Sequence, residues 1–473
     1  MIYNSFNFII VFPFIFLLYY VIPGKFERVR NGFLLVTSYL LYLNWKPAYA
    51  LILLGVTLVT FYGAKLLEKS NNHRKLVLNV SVFFTILPLL FFKYFNFANE
   101  IIFQVLSFLG VRFNLVGLNW AVPIGISFFT FQALGYLWDV YYRKIESEKN
   151  FFVYSLFVSF FPSILSGPIN KASLILPQLH NLRKQFDYPK IVEGLKFLLW
   201  GMFMKTVVAD RAGLYVDTIL PNYMNYTGIS CLVAVFFYTV QIYADFAGYS
   251  LMAIGVGKTL GFELAENFRR PYFSFSVTDF WRRWHISLST WLKDYVYIPL
   301  GGSRCTKSRN YLNILITFLV SGIWHGANWT FIIWGLLHGV FQVVEKMLGQ
   351  QMCDYKWLGK TIKILVTFVL VSFAWIFFRM PTLSSALGVI KRIFDVSLPK
   401  TIYNGGSITV FSFMLLGTMI LFIKDFADEF LPNKLKFFNN SNAFVRWLSY
   451  ITCMISIMLA GVFSADQFIY ANF

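Results

Sequence analysis

Long apolar runs, broken by short polar and basic stretches, recur along the chain from Phe6 to Phe463. In hydrocarbon a backbone N–H or C=O has no water to bond, so a run of this kind must satisfy itself as a helix. The pattern predicts membrane helices near 6–22, 32–43, 49–67, 76–94, 122–142, 151–167, 191–209, 229–247, 311–325, 328–345, 361–378, 407–423 and 445–463. Several are shorter than the ~20 residues of a full crossing, so some of them are expected to re-enter instead of crossing. The fold class is all-α: a polytopic integral membrane protein of about 11–13 membrane helices with interfacial and re-entrant ones beside them. The first run, Phe6 to Ile22, lacks a basic stretch before it and a small-residue cleavage site after it, and reads as a retained span. Asn96–Phe113 and Ser384–Phe394 alternate apolar and polar residues at helical spacing, are too short to cross, and read as interfacial helices.

The polar remainder sets orientation. Lys25, Arg28 and Arg30, then Lys65, Lys69, Arg74 and Lys75, then Arg143, Lys144 and Lys149 follow alternate spans, which places these loops in the cytosol and the N-terminus outside. The densest positive charge, Arg269 to Arg309, belongs on the cytosolic side by the same rule. Lys171, Arg183, Lys184 and Lys190 break strict alternation. Composition agrees with a lipid solvent: 58% of residues are hydrophobic, 13% are charged and mean hydropathy is +0.61. The 41 Lys and Arg against 22 Asp and Glu, a net +19, sit in short loops, where they favour anionic lipid headgroups over nucleic acid. No polar block is long enough to fold separately, so residues 1–473 read as a single membrane domain. Cys231, Cys305, Cys353 and Cys453 have neither CxxC nor metal-ligand spacing, so no metal site is expected. No internal repeat is visible, which argues against transporters built from duplicated halves.

One segment fits neither span nor loop. Phe273 to Gly302 crowds aromatic, basic and polar groups together and must be buried in protein or line a wet cavity. It holds His285, and the apolar run from Tyr311 ends at His325, 40 residues further on. At ~1.5 Å per residue that run lifts His325 by about 21 Å, which predicts two imidazoles at different depths on one path. An intramembrane histidine is costly enough to be a functional candidate. Arg282 and Arg283 suit phosphate oxygens, and equally suit a role as cytosolic anchors. His338 reads as packing, and His73 and His180 as loop residues. Asp139, Asp245, Asp279 and Asp294 are expected to pair with Lys or Arg. The absence of GxSxG, HExxH, P-loop and dinucleotide motifs leaves esterase, metalloprotease and ATPase readings without support.

The stretch Tyr243-Ala244-Asp245-Phe246-Ala247-Gly248-Tyr249-Ser250, the run WRRWHISLSTWLKDYVYIPLGG from Trp281, WHGANWTFIIWGLLHG from Trp324 and the terminal FIYANF together resemble the bacterial branch of the membrane-bound O-acyltransferase (MBOAT) family, most of all its alginate O-acetylation and peptidoglycan O-acetyltransferase members. The chain departs from the family pattern at Leu251, where an Asp is usual, at Ala265, where a Pro is usual, and at Ala471-Asn472 in the tail. The resemblance implies the MBOAT fold, a catalytic core over residues 229–345, and acyl transfer from cytosolic acetyl-CoA to an acceptor reached from outside, with no permanently bound cofactor. It implies His325 as the essential catalytic residue, with His285 at a position where other branches carry Asn or His. Trp281, Trp284, Trp324 and Asn328 join Arg282 and Arg283 as residues expected to touch acetyl-CoA. A periplasmic or lipid-anchored SGNH-type partner, the bacterial inner membrane and a surface polysaccharide complete the expectation. His325 would act as general base, or through an acetyl-histidine relay. Two rivals remain: transfer of D-alanine or another acyl group to teichoic acid, lipid or protein, and a transporter using the histidines as a proton relay.

Overall fold

The apolar runs become helices in the computed structural model, which describes the chain apart from residues 1–2, 44–45, 112–116, 118–119, 165–166, 182–185, 350–356, 396–401, 404, 433 and 464–473. The Phe468–Phe473 run, Arg183, Lys184 and Cys353 lie outside the described residues. Among those described there is no strand. Among the described residues six helices are long and apolar enough to cross a membrane: Pro47–Lys69, Arg74–Phe108, Gly228–Thr259, Trp357–Arg379, Ile408–Phe430 and Ala443–Ala460. Shorter helices, among them Ile126–Tyr141, Tyr188–Phe203, Lys307–His325 and Trp329–Met347, pack between them.

The structure revises three expectations. Residues 96–108 do not form a separate interfacial helix; they continue the helix from Arg74 through a π turn at Leu90–Tyr94. Residues 151–167 do not cross. Glu148 and His180, on either side of this stretch, are 2.6 Å apart, so Phe151–Ser159 enters and Ala172–Leu179 returns to the same face. That hairpin also accounts for the broken charge alternation: Lys171 pairs with Asp294 at 2.5 Å and Lys190 with Glu263 at 3.3 Å, on the face of the basic 269–309 segment. The span expected over 229–247 runs on to Thr259, because Met252, Ala253 and Val256 keep it apolar and buried. Leu383–Ile393 does form the second expected short helix, opened by a Thr382–Ser385 capping box.

Gly228–Thr259 is the axis of the fold. Its most apolar stretch is 78% buried, against 11% for Ala443–Ala460, so the first is surrounded by protein and the second turns most of its surface away from it. Close approach to Tyr188–Phe203 explains the difference. A Cβ on Gly194 or Gly255 would lie 2.6 Å from the other's carbonyl oxygen, and one on Gly201 or Gly248 would lie 2.6 or 2.8 Å from its partner's. The two glycine pairs sit seven residues apart on each helix, two turns, so the backbones touch along one seam. Just past that seam, in the π turn Met204–Ala209, Lys205 reaches Asp210 at 2.6 Å and Asp245 at 2.7 Å, all three at most 2% exposed. Asp139 and Asp279 find Lys144 and Arg283, as the sequence leads one to expect of acids beside apolar runs.

Candidate active site

The segment Phe273 to Gly302 is buried in protein as two short helices, Val277–Arg283 and Ile286–Leu292, followed by a π turn at Lys293–Tyr297. Ser276 caps the first by accepting from the Asp279 N–H at 3.0 Å, and Glu345 takes the N–H groups of Val277 and Thr278. The two helices break at His285, whose φ of 43° is left-handed. Asn267 holds the break: its carbonyl accepts from Ile286 N–H, and its side-chain oxygen accepts from Ser287 N–H at 3.3 Å and Ser287 Oγ at 2.8 Å. A backbone N–H can only donate, so that side-chain atom is an oxygen, and His285 Nδ1, 3.0 Å away, carries the ring proton. Nε2 of His285 is left with its lone pair and, among the described residues, no hydrogen-bond partner. The ring is wholly buried against Phe246 at 4.6 Å and Trp324 at 5.9 Å.

His325 is the last residue of Lys307–His325. That helix presses Gly322 against Gly335 of Trp329–Met347, leaving no room for a Cβ on either, and so presents Trp324 and His325 inward. The His325 ring lies 4.8 Å from Trp324, 4.9 Å from Trp334 and 5.2 Å from Phe378. Trp334 in turn lies 5.1 Å from His338. The result is a buried row, His285, Trp324, His325, Trp334, His338, in which indoles alternate with imidazoles. Trp281 donates its indole N–H to His338 Nδ1 at 3.2 Å, which places the His338 proton on Nε2. The indole N–H groups of Trp324, Trp334 and Trp375, Ser321 Oγ and His338 Nε2 have no hydrogen-bond partner among the described residues. Buried polar groups are ordinarily satisfied, so such a cluster fits a site completed by a polar guest.

A cavity of about 740 Å³ lies beside this row without being lined by any of its five residues; Asn267, which holds His285, is part of its wall. Its lining includes Ser250, Asn267 and Phe268, and the Phe268 ring lies 6.5 Å from the ring of His285. Its mouth carries Lys196, Lys258, Arg269, Arg270, Lys424 and Lys436. Carboxylates are interspersed: Lys258 reaches Glu193 at 2.9 Å and Arg270 reaches Glu429 at 2.7 Å. Burial pushes the Glu263 carboxyl up, but the neighbouring Lys258 and Lys190 ammonium groups outweigh it and hold the group below its ordinary value.

Of the residues the sequence singled out, His285, Trp324 and His325 come together, and Trp281 and Trp284 flank the row. Arg283 is occupied by Asp279 at 3.1 Å and Glu429 at 2.7 Å, Arg282 is exposed, and neither lines the cavity. Asn328 caps Trp329–Met347, accepting from Thr330 N–H and donating to Pro381 O. Glu345, on the same helix, grips the start of Val277–Arg283, so Asn328 lies about 25 Å from that end, at ~1.5 Å per residue. The sequence reading did not single out Asn267, Trp334 or the basic mouth, and it read His338 as packing, which its contacts with Phe280, Trp281, Phe318 and Trp334 fit. Among the described residues no group of three His, Cys, Asp or Glu side chains is placed to hold a metal.

Comparison with known proteins bears on the family of the chain. The family model of the membrane-bound O-acyltransferases matches residues 140–384, a stretch that contains Asn267 and the whole histidine–tryptophan row. The chain is 37% identical over 400 residues to the probable alginate O-acetylase AlgI of Pseudomonas aeruginosa, covering 84% of this chain and 75% of that protein. It is 34% identical over 428 residues to the peptidoglycan O-acetyltransferase of Helicobacter pylori, covering 83% and 79%. Identity to the teichoic acid D-alanyltransferase of Bacillus subtilis is 27% over 268 residues, covering 54% and 68%. A helical multi-pass membrane protein whose buried histidines fall inside the matched stretch, and which shares most of its length with these relatives, this chain belongs to the membrane-bound O-acyltransferase family.

Proposed function

We propose that this acyltransferase takes acetyl groups from acetyl-CoA at the cytosolic face of the bacterial inner membrane and passes them to an acceptor on the outer side, for O-acetylation of an alginate-like exopolysaccharide or peptidoglycan. The observation that carries the reading is the pairing of His285 and His325 across Trp324, beside a cavity with a basic mouth. A CoA polyphosphate suits six Lys and Arg side chains whose surface ion pairs are weak enough to exchange. The mouth belongs to the basic side of the chain, which the charge rule assigns to the cytosol. The thioester then reaches the row past Asn267 and Phe268. His325 takes the proton of an acceptor hydroxyl as its oxygen bonds the thioester carbonyl carbon; the C–S bond breaks and the thiolate leaves with a proton. The unpartnered indole N–H of Trp324 is available to the oxyanion. A long polymer has no room in this buried site, so a periplasmic or lipid-anchored partner, an SGNH-type protein, would accept the acetyl group and modify the polymer. Acetyl is preferred over D-alanyl because the O-acetylating relatives match more of the chain at higher identity.

Purified protein in nanodiscs should release thiol from acetyl-CoA when an acceptor is supplied, and His325→Ala should abolish release while inserting normally. Near-wild-type release by a well-folded His325→Ala protein would remove the assignment. Solute flux without thiol release would favour a transporter. A trapped acetyl-enzyme formed with labelled acetyl-CoA alone would favour the covalent relay over direct transfer.

A further inference from the structure

The helix Arg74–Phe108 widens at Leu90–Tyr94 into a π turn, a feature that recurs at functional sites. This turn sets two consecutive side chains on the end of another helix. Lys93 Nζ donates to the carbonyl oxygen of Trp324 at 2.6 Å, and the Tyr94 hydroxyl donates to the carbonyl of Ile323 at 2.7 Å. These carbonyls belong to the last turn of Lys307–His325, where the helix has no N–H of its own to offer and where partial negative charge gathers. Lys93 Nζ also lies 5.6 Å from the centre of the Trp324 indole and 3.4 Å from Ser127 Oγ. Lys205, Lys171 and Lys258 all have carboxylate partners; Lys93 has none among the described residues. A Lys without a carboxylate partner within a membrane protein is costly to bury, and a shorter neutral donor could cap a carbonyl more cheaply.

We propose that Lys93, with Tyr94 beside it, is a positioning residue for acyl transfer: its amino group, by the bond it donates, fixes the carbonyl and indole of Trp324, and thereby the orientation of His325, the next residue. The proposal rests on His325 as the acting base. Lys93→Met keeps the apolar stem and removes the donor. In nanodiscs it should lower kcat by about a hundredfold, the scale of an ångström-level misplacement, and leave KM for acetyl-CoA unchanged. Lys93→Arg should recover most of that loss. Tyr94→Phe, a milder change, should lower kcat by about tenfold with KM again unchanged. Wild-type kcat in inserted Lys93→Met overturns the proposal, as does a loss matched by an equal loss of folded protein. Should Lys93→Met fail to insert, Tyr94→Phe decides, and wild-type kcat there overturns the clamp. An inactive His325→Ala beside a fully active Lys93→Met defeats this inference alone, whereas an active His325→Ala defeats the functional reading beneath it.

Discussion

His285 occupies a backbone conformation that most residues avoid, and this shapes what substitution there can show. Left-handed φ at a residue with a Cβ costs roughly 1–2 kcal/mol, and Asn, Asp and His bear it better than most. His285→Asn should therefore keep the turn and lower turnover, while His285→Ala should lower turnover and also unfold earlier, by about 1 kcal/mol. Thermal unfolding measured beside thiol release checks both; unchanged kinetics in either variant would withdraw His285 from the site. The arginines permit a second comparison. Arg282→Gln with Arg283→Gln should leave KM for acetyl-CoA alone, because Arg283 is held by Asp279 and Glu429 and Arg282 faces outward. Arg269→Gln with Lys436→Gln at the cavity mouth should raise KM about tenfold, if each exposed contact is worth up to ~1 kcal/mol. The histidine pair is legible in the sequence because a buried imidazole is costly and both lie in recognisable aromatic runs. Asn267 is not, since an amide in a loop carries no signal of its own. His338 stands 13 residues beyond His325, a spacing that suggests no shared face, and only Trp334, four residues before it, reveals the row. Lys93 does carry a signal in the sequence: it is a lone cation inside the apolar run 76–94.

At the scale of elements, hydropathy locates most helices and misjudges how they end. The runs expected to stop at 94 and 209 stop at π turns, and the chain stays helical through both. Polarity marks those sites; a change of hydrogen-bond register within a continuous helix leaves no other trace in composition. The hairpin formed by Phe151–Ser159 and Ala172–Leu179 reads as a crossing in the sequence because an apolar run buried in protein resembles one buried in lipid. The seam between Tyr188–Phe203 and Gly228–Thr259 ends at Lys205, Asp210 and Asp245, and here the energetics can be tested. Lys205→Met strands two carboxylates away from water and should cost about 3–5 kcal/mol. Removing all three charges together, by Lys205→Met, Asp210→Asn and Asp245→Asn, should cost less than the single change. Denaturation in a mild detergent checks the order; a triple variant less stable than Lys205→Met would contradict it.

For the molecule as a whole, the six long apolar helices and the basic loops are legible, because lipid leaves few solutions to a backbone. The cavity is not, since its walls come from segments as far apart as Glu193 and Asn439. The histidine–tryptophan row also bears on how the reaction couples to the membrane potential. With donor on one side and acceptor on the other, as proposed, each turnover carries an acetyl group outward in place of a proton, and returns the acceptor's proton inward to the departing thiolate. The acyl group moves as the equivalent of a cation, so the two charges cancel. Transfer is then an electroneutral swap, whereas a proton conducted through the same histidines would feel about 2.3 kcal/mol per 100 mV. Vesicles loaded with acetyl-CoA and held at potassium diffusion potentials of opposite sign should acetylate an external acceptor to the same extent; a yield that follows the sign of the potential would mean that net charge crosses with the acyl group.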